Sequence, residues 1–121
     1  MKLAIIGSRS FEDYLLLKKT YKKIKGEVDT IVSGGANGAD ELGQKLAKDL
    51  GLKLIIYYPK WKLPDGKTNR GAGMKRNHLI AQEADCVLAF WDGESRGTEQ
   101  MIDICKNKYE KPTHVVKFEG E

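Results

Sequence analysis

Thr30-Ile31-Val32-Ser33-Gly34-Gly35-Ala36-Asn37-Gly38-Ala39-Asp40 runs from a β-branched segment into a glycine-rich turn and straight on into an amphipathic helix. The helix is marked by Ala39, Leu42, Gly43, Leu46, Ala47 and Leu50 at i, i+3, i+4, i+7, i+8 and i+11, with Gly51 in the C′ place. Without Cβ atoms at Gly34, Gly35 and Gly38, main-chain N–H groups are free to face a ligand. The positive end of the helix dipole lies behind them, and together they suit a phosphate or carboxylate. On this reading a side chain placed at Gly35 fills the anion's position. The competing reading is a tight strand-to-helix turn whose glycines serve packing alone. Ser33 stands where the dinucleotide fingerprint G-x-G-x-x-G has its first glycine, and no Gly-Lys-Ser/Thr follows, so this is not a P-loop.

Outward from this turn the chain alternates strands and helices. Strands are expected over Lys2–Ile6, Asp29–Ser33, Lys53–Tyr58, Asp85–Trp91 and Thr113–Phe118. The remaining helices are expected over Glu12–Lys25, Met74–Glu83 and Thr98–Tyr109. Five strands alternating with four helices indicate an α/β, Rossmann-like three-layer sandwich on a five-stranded parallel sheet. Right-handed crossovers favour the order 3-2-1-4-5, whose winding reverses between strands 1 and 4. Open α/β sheets bind ligands beyond the carboxyl ends of their strands at such a reversal. The turns beginning at Gly7, Gly34 and Asp92, and the entry to the third helix, all open there. Pro59–Gly73 is the one irregular stretch, with Lys60, Lys62, Lys67 and Arg70 around Trp61.

The 121 residues suit one domain, and the net charge of +4 is modest: it either draws anions or marks a solvated lysine-rich face. Met1 leads directly into a strand pattern, and no apolar run reaches the length of a membrane span, so a cytoplasmic protein without membrane contact is expected. Cys86 and Cys105 sit in apolar periodic segments and read as buried thiols. His78 and His114 lack companion ligands, so neither metal nor cofactor is expected.

At the carboxyl ends of the strands, Gly7-Ser8-Arg9 offers backbone amides and a guanidinium. Arg76 gains nothing from a position early in its helix, which leaves a bidentate grip on phosphate, stacking against a base, or a salt bridge to Asp85 or a surface carboxylate as its reason. Asn77 suits a ribose hydroxyl or a local cap. Ser95 and Thr98 both suit helix capping, while Gly97 between them suggests a second anion contact. Asp40 reads as serving its helix terminus. Glu99 is the carboxylate expected to reach the crevice, and Asp92 and Glu94 read as polar loop residues.

Gly7-Ser8-Arg9, then Ser33-Gly34-Gly35-Ala36 with Gly38-Ala39-Asp40, Met74-Lys75-Arg76-Asn77 with Ile80, Ala84-Asp85 and Gly97-Thr98 resemble the SLOG superfamily over nearly the whole chain. That group takes in the Lonely Guy phosphoribohydrolases, the DNA-processing protein A family and small YpsA- and YspA-like proteins, and the sequence is most similar to the YspA-like members. The resemblance implies a nucleotide or nucleotide-derived ligand, of ADP-ribose or cyclic type, that is sensed or sequestered. It also implies a possible homodimer or higher oligomer. The ligand-binding set would be Gly7, Ser8, Arg9, Ser33, Gly34, Gly35, Ala36, Asn37, Gly38, Asp40, Arg76, Asn77, Gly97 and Thr98. Lonely Guy enzymes hydrolyse the N-glycosidic bond of a nucleoside 5′-monophosphate. Arg76 aligns with their arginine, but Asn77 replaces their lysine, and the glutamates of P-G-G-x-G-T-x-E-E fall on Gln100 and Met101. Glu99 stands one residue early, roughly a quarter turn away on a helix. The candidates for catalysis are therefore Arg76 and Glu99, in a second reading as an N-glycosidase. Single-stranded DNA binding, with Trp61 stacking and the lysines tracking a strand, is a third.

Overall fold

A computed structural model describes residues 1–69 and 71–119. Strands β1 (Lys2–Gly7), β2 (Thr30–Ser33), β3 (Lys53–Ile56), β4 (Cys86–Trp91) and β5 (Thr113–Lys117) alternate with α1 (Tyr14–Lys22), α2 (Ala39–Leu50), α3 (Ala72–Glu83) and α4 (Arg96–Asp103). The sheet is wholly parallel in the order β3-β2-β1-β4-β5. Fold class and strand order match the sequence expectation.

Alternation along the central strands divides the core. Leu3 and Ile5 of β1, with Leu88 and Phe90 of β4, pack against Leu17 of α1 and Leu46 and Ala47 of α2. Ala4, Ile6, Val87 and Ala89 point the other way, onto Ile80 and Ala81 of α3 and Met101 of α4. Both faces are thus covered, as a parallel sheet requires. Among the described residues no helix is long and apolar enough to cross a membrane.

Several boundaries differ by a few residues from the expectation, the start of the first helix and the end of the last most informatively. Asp13 accepts a hydrogen bond from the Leu16 amide at 3.0 Å and starts α1 later than Glu12. The end of α2 at Leu50, with left-handed Gly51 after it, is as expected, and Leu50 in that last turn is half exposed. The last helix ceases to be α-helical at Asp103 and passes into a π-helical turn, Ile104–Lys108. That wider turn directs the Tyr109 hydroxyl to His78 Nδ1 at 2.9 Å and to the Gln82 side-chain amide at 3.1 Å, tying the C-terminal end of the helix to α3.

Candidate functional site

At the carboxyl ends of β1 and β4, where the winding reverses, a cleft of about 500 Å³ opens. Ser8 and Arg9 come from the β1 turn, Ala36 and Asp40 from the β2 turn and α2, Arg76 and Asn77 from α3, and Gly97 and Thr98 from α4. A second cavity of about 340 Å³ adjoins it over β2 and β3, bounded by Gly34, Gly35 and Asn37 below and by Tyr58 and Trp61 at the side. Arg9, Ala36 and Arg76 line both. The turns singled out from the sequence therefore meet in one bipartite depression.

The floor is a network of hydroxyls. The Ser8 amide donates to the Phe90 carbonyl at 2.9 Å, and Ser8 Oγ accepts from the Asp92 amide at 3.2 Å. The Ser8 and Thr98 hydroxyls lie 3.3 Å apart and those of Ser95 and Thr98 3.1 Å apart. Ser95 is the N-cap of α4, its Oγ accepting from the Thr98 amide. Asp92 Oδ1 accepts from the amides of Glu94 and Ser95 at 2.9 and 2.7 Å, and these bonds hold its carboxyl below the usual range. The Asp-Gly-x-Ser spelling of this turn is the sequence signal for Asp92, which lines the cleft rather than serving only as a polar loop residue.

The glycines of the β2 turn do different work from the one expected. A Cβ on Gly35, where φ is +73°, would stand 2.5 Å from the Tyr58 ring, not in an anion's place. A Cβ on Gly38 would stand 2.5 Å from the carbonyl oxygens of Ser8 and Arg9, and one on Gly34 would meet Arg76 and Asp40. Two of the turn's amides are already engaged: Gly35 N–H donates to Ser33 Oγ at 3.4 Å and Ala36 N–H to Asp40 Oδ2 at 3.2 Å. Ser33 is fully buried and Gly38 also lies outside the residues lining either cavity; both support the turn from behind. Gly97 differs, having open space where its Cβ would be, at the mouth of the cleft.

Glu99 overturns its expectation. It lines a separate surface depression with Arg96, Gln100 and Asp103, on the other side of α4 from the cleft. Capping of α4 at Ser95 sets the helix phase, so Thr98 and Met101 turn inward and Glu99 outward. Among the described residues, the carboxylates lining the cleft are Asp40 and Asp92.

Arg76 is half-buried where the two cavities join. Its Nη1 donates to the Gly34 carbonyl and its Nε to Asn77 Oδ1 at 2.9 Å. Among the described residues it forms no ion pair, with Asp85 or any other carboxylate. Burial lowers its pKa, and nearby Asp40 partly offsets this. Asp40, only 6% exposed, has its pKa raised to about 6 by burial, against the pull of the Ala36 amide, Arg76 and Arg9. A carboxyl whose folded pKa lies above its ordinary 3.8 stabilises the fold fully below that value. The contribution is lost as pH rises through about 6. Asp40→Asn, neutral throughout, should flatten the thermal stability profile between pH 4 and 7 by about 3 kcal/mol relative to wild type. Parallel profiles for the two proteins would show that Asp40 titrates normally.

No family model matches the chain, and no curated protein does. Among solved structures it is similar to DNA processing protein A from Helicobacter pylori, with a TM-score of 0.71 at 24% identity over 100% of this chain and 68% of that one. The likeness is one of fold. That structure concerns the way the H. pylori protein binds single-stranded DNA.

Proposed function

We propose that this chain binds a nucleotide or nucleotide-derived ligand of the ADP-ribose or cyclic type, in keeping with its resemblance to the SLOG superfamily. Its phosphate would lie in the larger cleft. The observation that carries this reading is Arg76: a half-buried guanidinium, fixed by Gly34 and Asn77, that opposes no carboxylate at ion-pair distance among the described residues. Burying a charge is unfavourable unless a partner offsets it, and a phosphate at the junction with Arg9 would do so. Gly97, with open space before it in the first turn of α4, supports a second phosphate contact.

Calorimetry should give binding of AMP or ADP-ribose at least tenfold tighter than adenosine, since charge-assisted hydrogen bonds contribute about 1.5–3 kcal/mol. Equal affinity for AMP and adenosine would remove the phosphate from the cleft. Hydrolysis of the Lonely Guy kind is the weaker reading, because Glu99 faces away and Asp92 is occupied by two amides. Release of free base from AMP would revive it.

Single-stranded DNA binding is favoured by one feature, the exposed Trp61 flanked by Lys60 and Lys62, on a fold shared with a DNA-binding neighbour. Arg70, counted with these basic residues, lies outside the described residues. Such binding would weaken steeply with added salt.

A further inference from the structure

The smaller cavity beside the cleft contains features that phosphate binding does not use. Tyr58 and Trp61 are 64% and 47% exposed, yet both border a concavity rather than standing on open surface. Their placement is built in. The Tyr58 ring lies over Gly35, in the space a Cβ there would take, and the Trp61 indole reaches to within 3.3 Å of the Cβ position of Gly73 at the start of α3. The segment carrying Trp61 is folded back on itself: Leu63 N–H donates to the Lys67 carbonyl at 2.8 Å, Asn69 N–H to the Trp61 carbonyl at 2.5 Å, and Lys62 pairs antiparallel with Thr68. Among the described residues no carboxylate lines this cavity, and Asn37, whose side chain ends in an amide, is one of its lining residues.

We propose that the cavity bounded by Tyr58, Trp61 and Gly35 is a stacking subsite for the nucleobase of a mononucleotide whose phosphate sits between Arg9 and Arg76. This rests on the reading of the larger cleft as a phosphate site. The shared Arg9, Ala36 and Arg76 give the continuity that a single ligand needs to span both cavities. Aromatic faces take any base by stacking, so preference among bases falls to the Asn37 amide, whose donor and acceptor suit a base edge.

The test compares AMP, ribose 5-phosphate and oligothymidylate on wild type, Trp61→Ala and Trp61→Phe by calorimetry, with thermal melts to verify folding. Trp61→Ala should weaken AMP roughly tenfold and leave ribose 5-phosphate within about twofold, and Trp61→Phe should recover most of the loss. AMP should quench tryptophan fluorescence in wild type and not in Trp61→Ala. If Trp61→Ala leaves AMP affinity unchanged, or weakens AMP and ribose 5-phosphate alike, the base subsite is wrong while the phosphate reading stands. If wild type binds neither small molecule, both are overturned. Trp61-dependent binding of oligothymidylate without binding of AMP would assign the aromatic pair to a DNA strand and overturn the mononucleotide assignment.

Discussion

Gly38→Ala should lower the melting temperature by about 10 °C or more while the neighbouring Gly97→Ala leaves it nearly unchanged. Gly38 precedes α2 with φ 76° and ψ −126°, a conformation that strains any residue with a side chain by about 1–3 kcal/mol. The added methyl would also meet backbone atoms, the carbonyl groups of Ser8 and Arg9, which have no flexible end to move aside. The Ala39 amide donates to that same Ser8 carbonyl at 3.3 Å, so relief of the clash would separate the β1 turn from the start of α2. Overpacking of this kind adds about 1–3 kcal/mol. At Gly97 the added methyl meets nothing within 4 Å, and alanine suits a helix better than glycine. Its effect should fall on AMP affinity, because the methyl would occupy the cleft. A wild-type melt for Gly38→Ala would show that the two turns are not locked together.

This contrast marks the limit of what the sequence discloses about the site. Glycine at 34, 35, 38 and 97 says that a Cβ is excluded, and not what excludes it. Three of the four are pressed against protein, and the fourth faces solvent at the cleft. The arrangement of strands was readable because it follows from local pattern: the apolar runs of β1 and β4 demand cover on both faces, and right-handed crossovers then leave few orders. The convergence of Arg9, Asp40, Arg76 and Thr98 follows from the same topology. Glu99 escapes the sequence reading because one residue turns a helical side chain by about 100°, enough to carry it out of the cleft, and the phase is set by the Ser95 cap. Pro64-Asp65-Gly66 carried ordinary turn chemistry inside the stretch read as irregular, and the Gly66 amide does close back on the Leu63 carbonyl at 2.9 Å. The π-helical turn after Asp103, which carries Tyr109 to its contacts with α3, leaves no mark in a 3.6-residue pattern.

Arg76→Ala should reduce affinity for AMP by about 10- to 100-fold and affinity for adenosine by much less, the range expected for losing hydrogen bonds to a charged group. Arg76 does two things at once: it holds the Gly34 carbonyl and Asn77, and it presents positive charge where both cavities meet. Arg76→Lys separates these roles. Lysine keeps the charge but lacks the planar fork, so it should recover part of the AMP affinity without restoring the geometry of the turn. If the arginine acts only as a brace for the β2 turn, alanine should weaken AMP and adenosine equally, and lysine should rescue neither. If it grips phosphate, the loss tracks ligand charge, and lysine falls between wild type and alanine for AMP alone. The ratio of the two affinities across these three proteins decides between brace and anion contact, because a change in folding stability common to both ligands cancels from it.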